Sequence, residues 1–248
     1  CIFTDIDPDL AANIDQRNFP HFSTYLNHRR EYTFTFINTS PAEIESLLNN
    51  FKPKSSSGHD QLSMRLIKKI KSSLATPLAH IINQSVTTGI FPDELKKAKV
   101  IPIYKKDDEK ILNNYRPISL LPTLSKVFEK VVYRQLYDHF VSHDIFYRSQ
   151  HGFKKLHSTE TATLEFIDRI YKILDKGEIP LTIFLDLSKA FDTLDHEILL
   201  YKLKYYGVSE TPLKWFNSYL TNRTQYVQLN DFHSKPLHIT TGVPQDRK

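Results

Sequence analysis

Asp186 sits inside Thr182-Ile183-Phe184-Leu185-Asp186-Leu187, a β-prone apolar run of the kind that forms a strand buried on both faces. A carboxylate in such a run is costly unless its charge is compensated. A divalent cation held at a strand end is the best compensator, so metal-assisted chemistry is the first candidate. A turn or capping role for a lone Asp near a strand end is the competing explanation, and by itself the stronger one. Lys105 and Arg116 are the second chemical feature. A polyanion needs several donors, and Arg offers a bidentate fork where Lys gives a point charge. Arg116 lies between Tyr115 and Pro117 in an otherwise apolar segment, whereas Lys105 also reads as one surface lysine among several.

Other acidic groupings are weaker. Asp107-Asp108 is the only adjacent Asp pair, but it lies in Lys105-Lys106-Asp107-Asp108-Glu109-Lys110, a polar turn with no apolar strand around it. Asp5-x-Asp7-x-Asp9 starts like a calcium loop, yet Leu10 stands where the required Gly belongs and Gln16 replaces the closing Glu, which excludes it. The 248 residues carry 33 Lys+Arg against 28 Asp+Glu, a net charge of +5. That mild excess suits a phosphate-backbone partner without demanding one. Cys1 is the single cysteine, so no intramolecular disulfide or Cys-based zinc site is available. No apolar stretch approaches the ~18 residues of a membrane span, and no secretory signal precedes the fold. An intracellular protein without a membrane partner is expected. The first residue is Cys rather than Met, as expected of a piece of a longer reading frame.

The elements that must position these residues are legible in outline. Ser40-Pro41-Ala42-Glu43 is a capping box with Pro at the first helical position, predicting a helix to about Asn50. Lys52 to Asp60, rich in Ser and Lys, reads as a linker that is mobile before ligand binds. Helical pattern resumes near Ser63 and again from Leu74, with Gly89 and Pro92 as stops. Lys99–Tyr104 and Tyr115–Leu121 read as strands, which Pro102 and Pro117 push toward sheet edges as a flexible hairpin. Leu124, Val127, Phe128, Val131, Val132, Leu136 and Phe140 recur at helical spacing. Ser158 caps a further helix ending near Gly177, whose apolar stripe of Leu164, Ile167, Ile170, Tyr171 and Leu174 is expected in the core. Helices near 195–206 and 212–220 follow, then a hairpin, 226–229 with 237–240, turning near Asn230-Asp231.

Six blocks then carry a resemblance. Asp186-Leu187-Ser188-Lys189-Ala190-Phe191-Asp192, with Leu194-Asp195-His196, resembles the first catalytic motif of reverse transcriptases, particularly those of non-LTR (LINE-type) retrotransposons. Lys54-Ser55-Ser56-Ser57-Gly58-His59-Asp60 resembles the family's opening loop. Val100 to Lys106 and Asn114 to Leu121 resemble its two finger strands. Gln150-His151-Gly152-Phe153 with Ser158-Thr159 resembles the segment ahead of the palm, and Gly242-Val243-Pro244-Gln245 the turn after it. The blocks occur in the family's order.

The resemblance implies an α+β, right-hand polymerase fold comprising fingers and the first part of the palm, with the thumb absent. It divides the chain into an upstream extension over 1–50, fingers over 51–178 and a partial palm over 179–248. The implied activity is RNA-directed DNA polymerisation, in which two cations ~3.5–4 Å apart clamp the attacking and leaving oxygens. Asp186 and the carbonyl of Leu187 would hold Mg²⁺, with Mn²⁺ a possible substitute, and Asp186 is the implied catalytic residue. Lys105, Arg116, Ala190, Phe191 and Gln245 would bind the deoxynucleoside triphosphate. Phe191 would be the ring that clashes with a 2′ hydroxyl, although spacing alone explains it equally well as a core aromatic. Lys54, Gln150, Gly152, Phe153, Gly242 and Pro244 would contact the RNA template paired with its DNA primer. After Gln245 the family continues with Gly and small residues, whereas this chain reads Asp246-Arg247-Lys248. The family's remaining carboxylates come from an aromatic-x-Asp-Asp hairpin further on, so truncation and an inactive isolated chain are expected. The alternatives are a non-catalytic nucleic-acid-binding remnant and a group II intron-type maturase, which shares the motifs but fits Leu-Ser-Lys-Ala-Phe-Asp less well.

Overall fold

A computed structural model describes residues 22–26, 32–187 and 190–244. Its backbone falls into two compact units: residues 1–137 with 189–248, and residues 138–188. Each is taken by itself.

The larger unit has a helical core. Helix α1 (Pro41–Asn50) starts at the expected capping box: the Ser40 hydroxyl accepts from the Glu43 N–H, and the Glu43 carboxylate accepts from the Ser40 N–H. Its other end is closed by a lysine, because Lys68 Nζ donates to the carbonyls of Asn49 (2.9 Å) and Phe51 (2.7 Å). Lys68 belongs to α2 (Met64–Lys69), which Ser63 caps. Helix α3 (Lys71–Thr88) stops where Gly89 adopts the left-handed conformation that L side chains avoid. Helix α4 (Thr123–Ser142) buries Val127, Phe128, Val131 and Val132, the stripe predicted by its periodicity. Those residues meet Ile44 and Leu48 of α1, Leu78 and Ile82 of α3, Phe91, and Trp215. Helices α6 (His196–Tyr205) and α7 (Glu210–Leu220) also belong to this unit (α5, Thr159–Leu174, belongs to the other).

Strand β1 (Lys97–Tyr104) pairs antiparallel with β2 (Tyr115–Leu120), in a register that sets Ile103 opposite Arg116. It also pairs in parallel with β3 (Arg223–Leu229), but only from Lys97 to Val100. β1 is therefore interior to the sheet, contrary to the edge position expected from its proline. Pro102 is tolerated because the β3 ladder has ended before it, and because Pro102 faces Pro117, so the two missing N–H groups share one rung. The hairpin after β3 turns at Asn230-Asp231 as expected. Its return is split into β4 (Phe232–His233) and β5 (Leu237–Ile239), each pairing with β3.

The Lys52–Asp60 segment is fastened rather than loose. Ser57 bridges to Ser63, Arg65 N–H donates to the Lys54 carbonyl, and Asp60 Oδ1 accepts from Leu62 N–H. Gly58 lies against the main chain after β2.

The smaller unit contains the end of α4, a loop, and helix α5 (Thr159–Leu174) with Ser158 as cap. Helix α5 has no fully buried residue, so its apolar stripe is not the core face expected from its pattern. A unit of about fifty residues has little capacity to enclose a core. The ring of Phe184 reaches Phe166 of α5, 5.8 Å between centroids.

A methyl group on Gly58 would stand 2.7 Å from the Pro122 nitrogen and 2.8 Å from the Leu121 carbonyl oxygen, backbone atoms that cannot swing aside. Gly58→Ala is expected to cost about 1–3 kcal/mol. Urea unfolding checks it, with Ser56→Ala as a control of no effect; equal midpoints would mean that the loop does not dock.

Candidate nucleotide and template site

Lys105 and Arg116 occupy the same end of the β1–β2 ribbon. Tyr104 pairs with Tyr115 and Ile103 with Arg116, which places Lys105 opposite Asn114, and Lys105 N–H donates to the Asn114 carbonyl at 2.9 Å. Since side chains alternate along a strand, Lys105 and Arg116 share one face as diagonal neighbours. Both are exposed. The tip beyond them is tied to itself rather than open. Tyr115 Oη donates to the Glu109 carbonyl (2.9 Å), Asn114 Nδ2 to the Asp108 carbonyl (2.8 Å), and Tyr104 Oη to the Asp107 carbonyl. Asp108 accepts the Lys110 N–H at 2.9 Å. That is the polar turn expected of this segment. Lys54 is exposed at the start of the segment that Gly58 seats beside β2.

Gln150, Gly152 and Phe153 lie together on one loop of the smaller unit, which is clasped to α5. Glu165 receives His151 Nε2 (2.8 Å) and Ser149 Oγ (2.9 Å), and pairs with Arg169 (2.6 Å). The other nitrogen of His151 meets Thr161 Oγ1 at 3.0 Å. Phe153 has a positive φ of 60° and an exposed ring, a backbone conformation that non-glycine residues seldom adopt. Sequence reasoning picked out the loop but missed the roles of His151 and Glu165, which hold it; they stand seven residues before and seven after the Ser158 cap.

Asp186 does not stand in a buried strand. Residues 181–187 are exposed and in no strand, with Leu185 at 91% exposure. The run has the composition of a strand, but strands require neighbours for their N–H and C=O groups. No described strand pairs with it. Asp186 and the Leu187 carbonyl are one carboxylate and one neutral donor. Among the described residues, no three His, Cys, Asp or Glu side chains converge to hold a metal ion. These residues alone do not build a two-cation site.

The Phe191 and Gly242 motifs, half a hundred residues apart, meet. Gly242 N–H donates to the Leu194 carbonyl (2.8 Å) and Val243 N–H to the Phe191 carbonyl (2.9 Å). Gly242 has a φ of +77°, and a Cβ there would lie 2.7 Å from the Asp192 carbonyl oxygen. Glycine is required on both counts. Pro244 follows on that turn, Ala190 and the Phe191 ring are exposed, and Gln245 lies outside the described residues.

These strands, turns and loops carry six polymerase-like motifs in order, and comparison with known proteins agrees. The family described as reverse transcriptase (RNA-dependent DNA polymerase) matches residues 103–245, more than half of the chain. The chain belongs to the reverse transcriptase family. Among its relatives are the probable RNA-directed DNA polymerase from transposon BS of Drosophila melanogaster, 29% identical over 94% of this chain and 27% of its own length, and the RNA-directed DNA polymerase from mobile element jockey of the same species, 28% identical over 95% and 27%. A further relative, from the type-1 retrotransposable element R2 of Popillia japonica, is 22% identical over 82% and 27%. The likeness is to non-LTR, LINE-type elements. The chain spans about a quarter of the length of these relatives.

Acid tests the clasp on the Gln150–Phe153 loop. Hydrogen bonds from His151 and then Ser149, with Arg169 beside them, hold the Glu165 carboxyl at about 2, below its ordinary 4.5. A depressed folded value means that the contribution to stability is complete above about pH 5 and is lost as pH falls toward 2. The unfolding midpoint of the wild type is expected to fall more steeply between pH 5 and 2 than that of Glu165→Gln; parallel curves would show that the clasp is not formed.

Proposed function

We propose that this chain supplies the fingers and the first part of the palm of an RNA-directed DNA polymerase of a LINE-type element. Residues 51–178 are assigned to fingers, 179–248 to palm and 1–50 to an upstream extension. The observation carrying the proposal is the ordered set of motifs from Lys54 to Gln245, with Asp186 at the family's first catalytic carboxylate, most of it inside the 103–245 family match.

In this proposal the substrates are deoxynucleoside triphosphates, and the partners are an RNA template and a DNA primer. Lys105 and Arg116, on one face of their ribbon, neutralise the triphosphate. Phe191 stands under the sugar with Ala190, and Gln245 contacts the nucleotide. Lys54, Gln150, Gly152, Phe153, Gly242 and Pro244 face the template. Asp186 and the Leu187 carbonyl contribute to Mg²⁺ binding, and bound Mg²⁺ would neutralise charge on the reacting phosphate. No described helix is long and apolar enough to cross a membrane, and none is needed for this activity.

The 248-residue chain is expected to bind an RNA–DNA primer–template with an affinity that falls as salt rises, yet not to extend the primer with Mg²⁺ or Mn²⁺. Fluorescence anisotropy and primer extension read the two halves. Absence of binding at low salt would refute the proposal. Reproducible synthesis abolished by Asp186→Ala would show that the missing carboxylates come from elsewhere in this chain or from a second copy.

A further inference from the structure

Backbone bonds join the Phe191 and Gly242 turns, and one side chain joins them as well. His196 Nε2 lies 2.7 Å from the Gly242 carbonyl oxygen. A carbonyl only accepts, so Nε2 carries the proton in this contact. His196 is placed to do this because it opens α6, directly after Asp195, whose carboxylate accepts the Ile198 N–H at 2.9 Å and sets where the helix begins. Gly242 is thus held three ways: its N–H by Leu194, its carbonyl by His196, and its α-carbon against Asp192. All of these groups lie in the larger unit.

We infer that His196 is a positioning residue: by holding the Gly242 carbonyl it fixes the Gly242–Pro244 turn to the Phe191 turn, so that discrimination between deoxyribose and ribose depends on it. The discrimination rests on the proposed sugar-contacting role of Phe191; the clamp does not. The clamp is a matter of one donor at one distance. Glutamine can present its Nε2 amide where the histidine Nε2 stands. Asparagine is shorter, placing its nitrogen near the Nδ1 position, and alanine has no donor.

Two measurements on the 248-residue chain decide it. In hydrogen exchange, His196→Ala and His196→Asn should speed exchange of the Gly242 and Val243 amides at least tenfold, leaving the core amides of Ile82 and Val131 unchanged; His196→Gln should restore most of the protection. Unchanged Gly242 and Val243 exchange in His196→Ala, or His196→Gln behaving like His196→Ala, overturns the clamp. A variant that also loses core protection is unfolded, and the Gln and Asn pair then carries the comparison. In the second measurement, dUTP and UTP, which differ only at the 2′ position, are titrated into the chain with Mg²⁺ and an RNA–DNA primer–template. The wild type and His196→Gln should prefer dUTP, and His196→Ala and Phe191→Val should each reduce that preference severalfold. Preference lost in Phe191→Val but kept in His196→Ala overturns the dependence on His196. Preference absent from the wild type, or kept in Phe191→Val, refutes the role of Phe191 and with it the discrimination, while exchange still decides the clamp.

Discussion

Trp215 ties the helices to the sheet. Its indole N–H donates to Ser85 Oγ of α3 at 2.9 Å, and that hydroxyl in turn donates to the Ile90 carbonyl just past the helix. The two groups satisfy a buried donor and a helix end together. The face of the indole stacks on Tyr219, 5.6 Å between centroids and 4° from parallel, while Phe91 meets both rings edge-on. Tyr219 donates to Glu129 of α4 at 3.0 Å, and burial with that nearby charge pushes its phenol well above the ordinary range. Four residues on, Arg223 opens β3, 1% exposed, with Nη1 donating to the Tyr219 carbonyl and its guanidinium 4.8 Å from the Tyr219 ring. A cation so deeply placed needs the ring and Glu129 to offset its desolvation. The position of β3 therefore follows from the aromatic cluster, and β3 supports β1.

Two glycines of the motifs bring main chain against main chain. Gly58 abuts Leu121 and Pro122 after β2; Gly242 abuts Phe191 and Asp192 before α6. Any side chain at either glycine would displace backbone, so these segments dock only as written. The first brings a lysine-bearing loop to the β1–β2 ribbon. The second joins two stretches that the proposed nucleotide site shares. The Gln150–Phe153 loop uses another device, a carboxylate on a helix face that gathers His151, Ser149 and Arg169. Its template role stays a proposal, but its construction is explicit.

Transition-state charge in nucleotidyl transfer is met by converging carboxylates and cations. The described residues offer Asp186 on an exposed run and no three-ligand cluster. What they offer instead is scaffolding: an ordered pair of cationic side chains on one ribbon face, and a glycine turn closed on an aromatic.

Much of this was legible in the residues. Helix starts at Ser40, Ser63, Ser158 and Asp195 follow from side chains that cap their own backbone, a local interaction that needs no other part of the fold. Strands β1 and β2, the stripe of α4 and the turn at Asn230-Asp231 were readable from periodicity and turn chemistry, and the motifs identified the family. Tertiary structure decided what depends on neighbours. The apolar run at Asp186 forms no strand because pairing is a property of two segments, not one. Pro102 sits in an interior strand because the β3 ladder ends at Val100. Helix α5 has a core-like stripe and no fully buried residue, since a pattern states what a face could bury and only packing supplies the partner. His196 showed no sign of its contact, because its partner is a backbone carbonyl 46 residues away, and a carbonyl has no identity in sequence.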